Sequence, residues 1–224
     1  LREICISKHE LKMTFPEEVL INDKKATLLK VSEELFATYG FDGTSTRMIA
    51  EQSGINIAMI NYYFGSKELL YTAIFENRLI YIIEEIDRIG QLDIGPAEKL
   101  ELYLRGYIRR IQNNQGFYRM ESRQLTMVEQ PPIVTLLETS RNKAFLLIHN
   151  IITRGILQNV FQHIDIEVFA LNIIYLLPTV FTRPPALFAQ LGFSTNDHRQ
   201  SNSLENRIIQ FLMASLIIKK IPQL

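Results

Sequence analysis

Between Ile55 and Gly65 the sequence INIAMINYYFG carries no charged residue, although it has the length of a short helix with Asn56 as its cap. Ile60 and Phe64 are four apart, share a side and read as the buried pair. Ile57, Ala58, Asn61 and Tyr62 are left on the other faces. A face turned only to water would normally carry Lys, Glu or Gln. An amide, a phenol and small apolar groups suit base edges instead, where Asn pairs with adenine and apolar groups touch thymine methyls. A core helix packed on all sides would use the same residue types, so the pattern alone leaves that reading open.

No other group of residues suggests chemistry as clearly. The four histidines, His9, His149, His163 and His198, never fall three or four apart, the spacing that puts two metal ligands on one helix face. There is no Gly-rich phosphate loop and no Gly-x-Ser-x-Gly elbow. Glu84, Glu85 and Asp87, beside Arg88, read as a solvated helix face. The expectation is therefore a protein that is not an enzyme, with no catalytic residue, no metal and no cofactor.

The uncharged stretch needs elements to hold it. Ser45 or Thr46 can cap a helix carrying Ile49 and Ala50, because a hydroxyl there accepts a bond from a free backbone N–H. Gly54 stands where that helix needs a left-handed residue to stop. Asn56 caps the second helix, Ile57 to Phe64. Ser66 caps a third, with Glu68 in its first turn, where negative charge is favoured. Two short helices joined by a Gly-containing turn form the helix-turn-helix signature. A preceding helix, Lys24 to Tyr39, would brace the pair through Ala26, Leu29, Val31, Leu35 and Phe36. Gly40 to Gly43 ends it, with Phe41 as a core plug.

The segment Lys25 to Leu70 resembles the DNA-binding domain of the TetR family of transcriptional regulators. The matching features are ATYGFDG at Ala37 to Gly43, TSTRMIA at Thr44 to Ala50, Gly54, and Tyr62-Tyr63-Phe64 followed by Ser66-Lys67-Glu68-Leu69. Asn61 departs from the family, which often has Tyr there. The resemblance implies that Thr46, Arg47, Ile57, Ala58, Met59, Asn61, Tyr63 and Lys67 fall at positions used on double-stranded DNA. Arg47 would pair with guanine or phosphate and Asn61 with adenine. Tyr63 and Lys67 would reach phosphate, and Thr46 would do so through its hydroxyl or backbone. A packing role for Met59 and Tyr63 remains the competing reading.

Composition bounds these expectations. Of 224 residues, 47% are apolar and 21% charged, so a sizeable core is available. Lys plus Arg number 24, as do Asp plus Glu, and Lys24 to Leu70 is likewise balanced. That balance argues against a non-specific nucleic-acid coat, which needs many phosphate contacts. Cys5 is the one cysteine, which excludes an internal disulfide and fits a cytoplasmic setting. The N-terminus lacks a basic-then-apolar signal pattern. The longest uncharged apolar run, Val168 to Thr182, falls short of the roughly 20 residues a membrane span needs, so no membrane partner is expected.

The remaining chain predicts an all-α architecture: an N-terminal three-helix helix-turn-helix head over 22–68 and a larger helical body over 69–224. Residues 1–22 read as a tail or short extra helix. Body helices are expected at Leu69–Gly90, Pro96–Asn113, Phe117–Val128, Ile133–Phe161 with Gly155 a weak point, Ile166–Phe181 with a kink at Pro178, and Leu204–Ile221. Helical bodies of this kind hold small molecules between helices. Tyr103, Tyr107, Phe117, Met120, Met127, Phe145, His149, Phe169, Asn172 and Tyr175 are the expected lining for a small, apolar effector. Core filling is the competing reading for each. The last two helices carry apolar residues on nearly every face, more than one buried stripe requires. They predict a homodimer, as the resemblance also implies. The expected protein is a repressor bound as a homodimer to a near-palindromic operator and controlled by a small-molecule effector. The alternative is a helical enzyme or protein-interaction module in which the helix-turn-helix is scaffold only.

Overall fold

The computed structural model describes residues 24–126, 131–182 and 198–217. Cys5, the expected tail over 1–22, Met127 and Ile218 lie outside the described residues. All regular elements among the described residues are helical. An isolated bridge between Phe161 and Ile217 is the one strand-like pairing among them.

The head contains α1 (Lys24–Tyr39), α2 (Thr46–Ser53) and α3 (Ile57–Phe64). Leu28, Leu35 and Phe36 form the buried stripe of α1, while Ala26, Leu29 and Val31 are only half-buried. Gly40 adopts φ 77°, and its N–H donates to the Phe36 carbonyl at 2.9 Å. This left-handed cap turns the chain so that Phe41 enters the core. Its ring lies 5.8 Å from Phe36 and 5.1 Å from Tyr71, which is the expected plug.

Helix α4 (Lys67–Gln91) leaves the head and runs into the body. Near the head, the Arg78 guanidinium forks onto the Glu33 carboxylate of α1 with bonds of 2.9 and 2.8 Å. Further along, α4 packs on α7 (Pro131–Leu157), the longest helix described. Between them in sequence come α5 (Pro96–Asn113) and α6 (Gln115–Thr126). Every residue of the expected α5 stripe, Leu100, Tyr103, Leu104, Tyr107, Ile108 and Ile111, is buried. Burying such a side chain contributes about 1.5–3 kcal/mol, and Pro96 starts the helix where its missing N–H costs nothing.

The end of α7 differs from expectation. The helix stops at Leu157, not Phe161, because the chain reverses and the Val160 and Phe161 amides both donate to the Gly155 carbonyl. Gly155 is there for space: a Cβ at that position would overlap the buried Phe161 ring. Gln162 then bonds the Leu216 carbonyl through its backbone N–H at 2.8 Å and the Ser215 carbonyl through its side chain at 2.7 Å.

The expected helix Ile166–Phe181 is not regular before Pro178. Helix α8 (Ile166–Leu171) passes through a π-helical turn (Asn172–Leu176) into α9 (Leu177–Thr182). A proline deprives the carbonyl four residues earlier, that of Ile174, of its α-helical donor. The Tyr107 hydroxyl donates to that carbonyl at 3.2 Å. The last described helix, α10 (His198–Ala214), begins and ends earlier than Leu204–Ile221, so residues 198–203 are helical where no helix was expected.

Candidate nucleic-acid interface and its supporting body

Three polar caps fix the helix-turn-helix pair. Ser45 Oγ accepts from the Met48 amide at 3.2 Å, Asn56 Oδ1 from Ala58 at 2.9 Å, and Ser66 Oγ from Leu69 at 3.2 Å. Gly54 stops α2 at φ 67°. Ile49, Ile60 and Phe64 seat the two helices on the core.

With Ile60 and Phe64 turned inward, Ile57, Ala58, Asn61 and Tyr62 stand exposed, Tyr62 at 77%. Helix α3 is therefore not packed on all sides. Met59 is half-buried. Tyr63 is half-buried against the core, its ring 5.2 Å from that of Tyr62 and 6.3 Å from that of Phe64. Thr46 is half-buried at the start of α2. Arg47 is exposed on α2 and its Nε meets the Glu51 carboxylate at 3.1 Å. A surface pair of this kind holds its partners by only about 0–1 kcal/mol, so Arg47 can exchange Glu51 for another acceptor.

Lys67 has a structural task that its sequence position did not reveal. Its Nζ donates to the Phe41 and Thr44 carbonyls at 3.0 and 3.1 Å and sits 4.1 Å above the Phe41 ring. It thereby ties the first turn of α4 to the loop before α2. A lysine ammonium has three donors, so two are used within the head.

The body residues expected to line a cavity separate into three groups. Tyr103, Tyr107, Phe117, Met120 and Phe169 are buried. Phe145 and His149 are half-buried on α7, their rings 6.0 Å apart. Asn172 and Tyr175 are exposed, which corrects their placement on an inner face. The Asn172 amide bonds the Val168 carbonyl on its own helix, and Tyr175 lies 4.8 Å from the Arg141 guanidinium. They fail to turn inward because Ile173, Ile174 and Leu177 already fill the inward side.

The buried body also contains ion pairs that the sequence reading missed. Arg110 on α5 pairs with Glu85 of α4 and donates to the Tyr118 hydroxyl at 3.1 Å. Glu85 is thus not part of a solvated face, although Asp87 remains on the surface with Lys143. Glu121 on α6 accepts from Arg141 at 2.9 Å, and burial pushes its carboxyl above the usual 4.5, with Arg141 opposing. The available signal was spacing: Arg110 follows Tyr103 and Tyr107 at seven and three residues, on the apolar face of α5. On α6, Arg123 Nη1 donates to the Phe36 and Ala37 carbonyls, both at 3.2 Å, which ties the body to the end of α1.

Residues 28–74 match the family model described as bacterial regulatory proteins, tetR family. The HTH-type transcriptional regulator RutR of Escherichia coli K12 is 30% identical over 95 residues, 42% of this chain and 44% of that protein. The HTH-type transcriptional dual regulator CecR of Shigella flexneri is 53% identical over 49 residues, 22% of either chain. This chain therefore spans less than half the length of these curated relatives. The fold extends further. The ketosteroid transcriptional regulator KstR2 of Mycobacterium tuberculosis superposes with TM-score 0.74 at 15% identity, covering 89% of this chain and 97% of that one. A tetR-family regulatory protein from Rhodococcus RHA1 gives 0.73 at 20% identity, covering 88% and 99%. Among the described residues no helix is long and apolar enough to cross a membrane.

Proposed function

The chain carries the N-terminal domain of the TetR family of bacterial regulatory proteins over residues 28–74, and on that premise we propose that it is a cytoplasmic, DNA-binding transcriptional repressor. The observation that supports this reading best is the uncharged, exposed face of α3. Asn61 and Ala58 would contact base edges, with Ile57 beside them. Arg47, Thr46, Tyr63 and the remaining donor of Lys67 would position the head on phosphates, and Met59 would back the reading face. Phosphate contacts set orientation and base contacts set sequence preference. The head is taken as 22–68 and the body as 69–224.

The same reading makes the protein a homodimer. Val168, Leu171, Tyr175 and Leu176 are exposed on one side of the α8–α9 segment, and Phe211 is 73% exposed on α10. The opposite sides of these helices are buried in their own body through Phe169, Ile173, Leu177, Ile209 and Leu212. The α8–α9 segment thus has an apolar side left over, and α10 adds an exposed Phe211 among polar neighbours, which supports pairing with a second copy. Two reading helices about 34–36 Å apart would address a near-palindromic operator. A small apolar effector in the body would act on the head through α4 and through the Arg123 tie to α1.

Selection of duplexes from a random pool, followed by anisotropy titration, tests this reading. The expected outcome is a near-palindromic sequence bound by two chains, with affinity falling steeply as salt rises. Failure to enrich any sequence counts against it.

A further inference from the structure

The inner face of α5 carries Tyr103, Tyr107 and Arg110 one turn apart, all buried. The Tyr103 and Tyr107 rings stack at 5.8 Å, and the Arg110 guanidinium lies 5.2 Å from the Tyr107 ring. Two of these three polar groups have partners. Tyr107 donates to the Ile174 carbonyl, and Arg110 holds Glu85 and the Tyr118 hydroxyl. The Tyr103 hydroxyl, on a residue 2% exposed, has no hydrogen-bond partner among the described residues. Among the described residues two other buried side-chain oxygens share that condition, Ser32 Oγ and Gln124 Oε1. Ser32 is in α1 of the head, and the Gln124 amide already donates to Tyr71 at 3.3 Å. Among the described body side chains that are buried, Tyr103 is therefore the one whose whole polar capacity is unmet.

A buried hydroxyl without a partner is rare in folded proteins and calls for a reason. Burial raises the pKa of this phenol far above its ordinary value, so it remains a donor throughout the working pH range. Its neighbours also constrain charge. Glu85 pairs with Arg110 and Glu121 with Arg141, so the acids and bases around it are already matched. A charged ligand would bring an unmatched charge into this interior, which is strongly disfavoured. A neutral ligand with an oxygen acceptor would supply what Tyr103 lacks. Leu100 and Leu104 on the same helix suit an apolar remainder.

We propose that the Tyr103 hydroxyl is the polar anchor for the effector, and that the effector is a neutral, mainly apolar molecule with a carbonyl or similar oxygen acceptor. The inference rests on the reading that the body holds a small apolar effector. The test uses the full chain, wild type and Tyr103→Phe, with acetophenone and its isostere α-methylstyrene, which replaces C=O by C=CH2. Wild type should bind the ketone about tenfold more tightly than the alkene in calorimetric titration. Tyr103→Phe should abolish that difference, and its ligand-free Tm should be no lower than that of wild type. A ligand-free Tm several degrees below wild type would mean that the hydroxyl is already paired, which overturns the inference. Equal binding of both probes by wild type overturns the anchor and leaves the effector-holding body standing. Binding of neither probe removes both.

Discussion

At the scale of single residues, cations of the head divide by what they hold. Arg47 is exposed and lightly held by Glu51, whereas Lys67 closes two backbone carbonyls. Arg47→Ala should therefore leave Tm within a degree or so of wild type and weaken operator binding; equal affinity for a selected duplex would remove Arg47 from the interface. Lys67→Ala should weaken binding and also cost about 1–3 kcal/mol of stability, because it strips donors from the Phe41 and Thr44 carbonyls. Chemical denaturation separates the two effects. Glu121 gives a pH prediction. Its carboxyl is raised above the ordinary 4.5 by burial, so the folded protein holds this proton more tightly than the unfolded chain. Its contribution is fully present below about pH 4.5 and is lost as pH rises through the folded value. Glu121→Gln should flatten that part of the stability profile, and an unchanged slope in pH-dependent denaturation would contradict the assignment.

At the scale of elements, local rules carry a long way and then stop at tertiary demands. The capping residues Ser45, Asn56 and Ser66 and the stop at Gly54 were legible because each acts within a few residues of its partner. Helices α1, α3 and α5 keep their expected bounds for the same reason, although α1 buries Leu28 while Ala26, Leu29 and Val31 are only half-buried. The end of α7 was not legible, since its cause is the Phe161 ring returning over Gly155. Gly155→Ala should therefore be strongly destabilising, by about 1–3 kcal/mol as an overpacking change. An unchanged melting curve would mean that Phe161 moves aside freely. Before Pro178 the chain takes a π-helical turn, and the donor that the sequence did not reveal lies on α5: the Tyr107 hydroxyl serves the Ile174 carbonyl. Tyr107→Phe should cost about 1–3 kcal/mol by leaving that buried carbonyl without this donor. The expected inward placement of Asn172 and Tyr175 failed for a related reason, because the faces of this segment are set by its packing on the body.

At the scale of the whole molecule, a head built to present an uncharged helix is joined to the body by α4, Arg78–Glu33 and Arg123. The same body leaves an apolar side on α8–α9 and an exposed Phe211 on α10. Leu176→Glu and Phe211→Glu place charge on that side without entering the core. Both should keep a near-native Tm and sediment as monomers at micromolar concentration. Leu212→Glu would unfold the body instead, because Leu212 faces inward. The most direct test of the central claim is anisotropy titration of an operator duplex selected from random sequence, comparing wild type with Asn61→Ala. Wild type should bind as a dimer and prefer the selected bases opposite α3. Asn61→Ala should fold normally and lose about 1–3 kcal/mol of that discrimination, as expected for removal of a bidentate base contact. Unchanged base preference in the variant, or binding by wild type that is indifferent to sequence, would contradict α3 as the reading element.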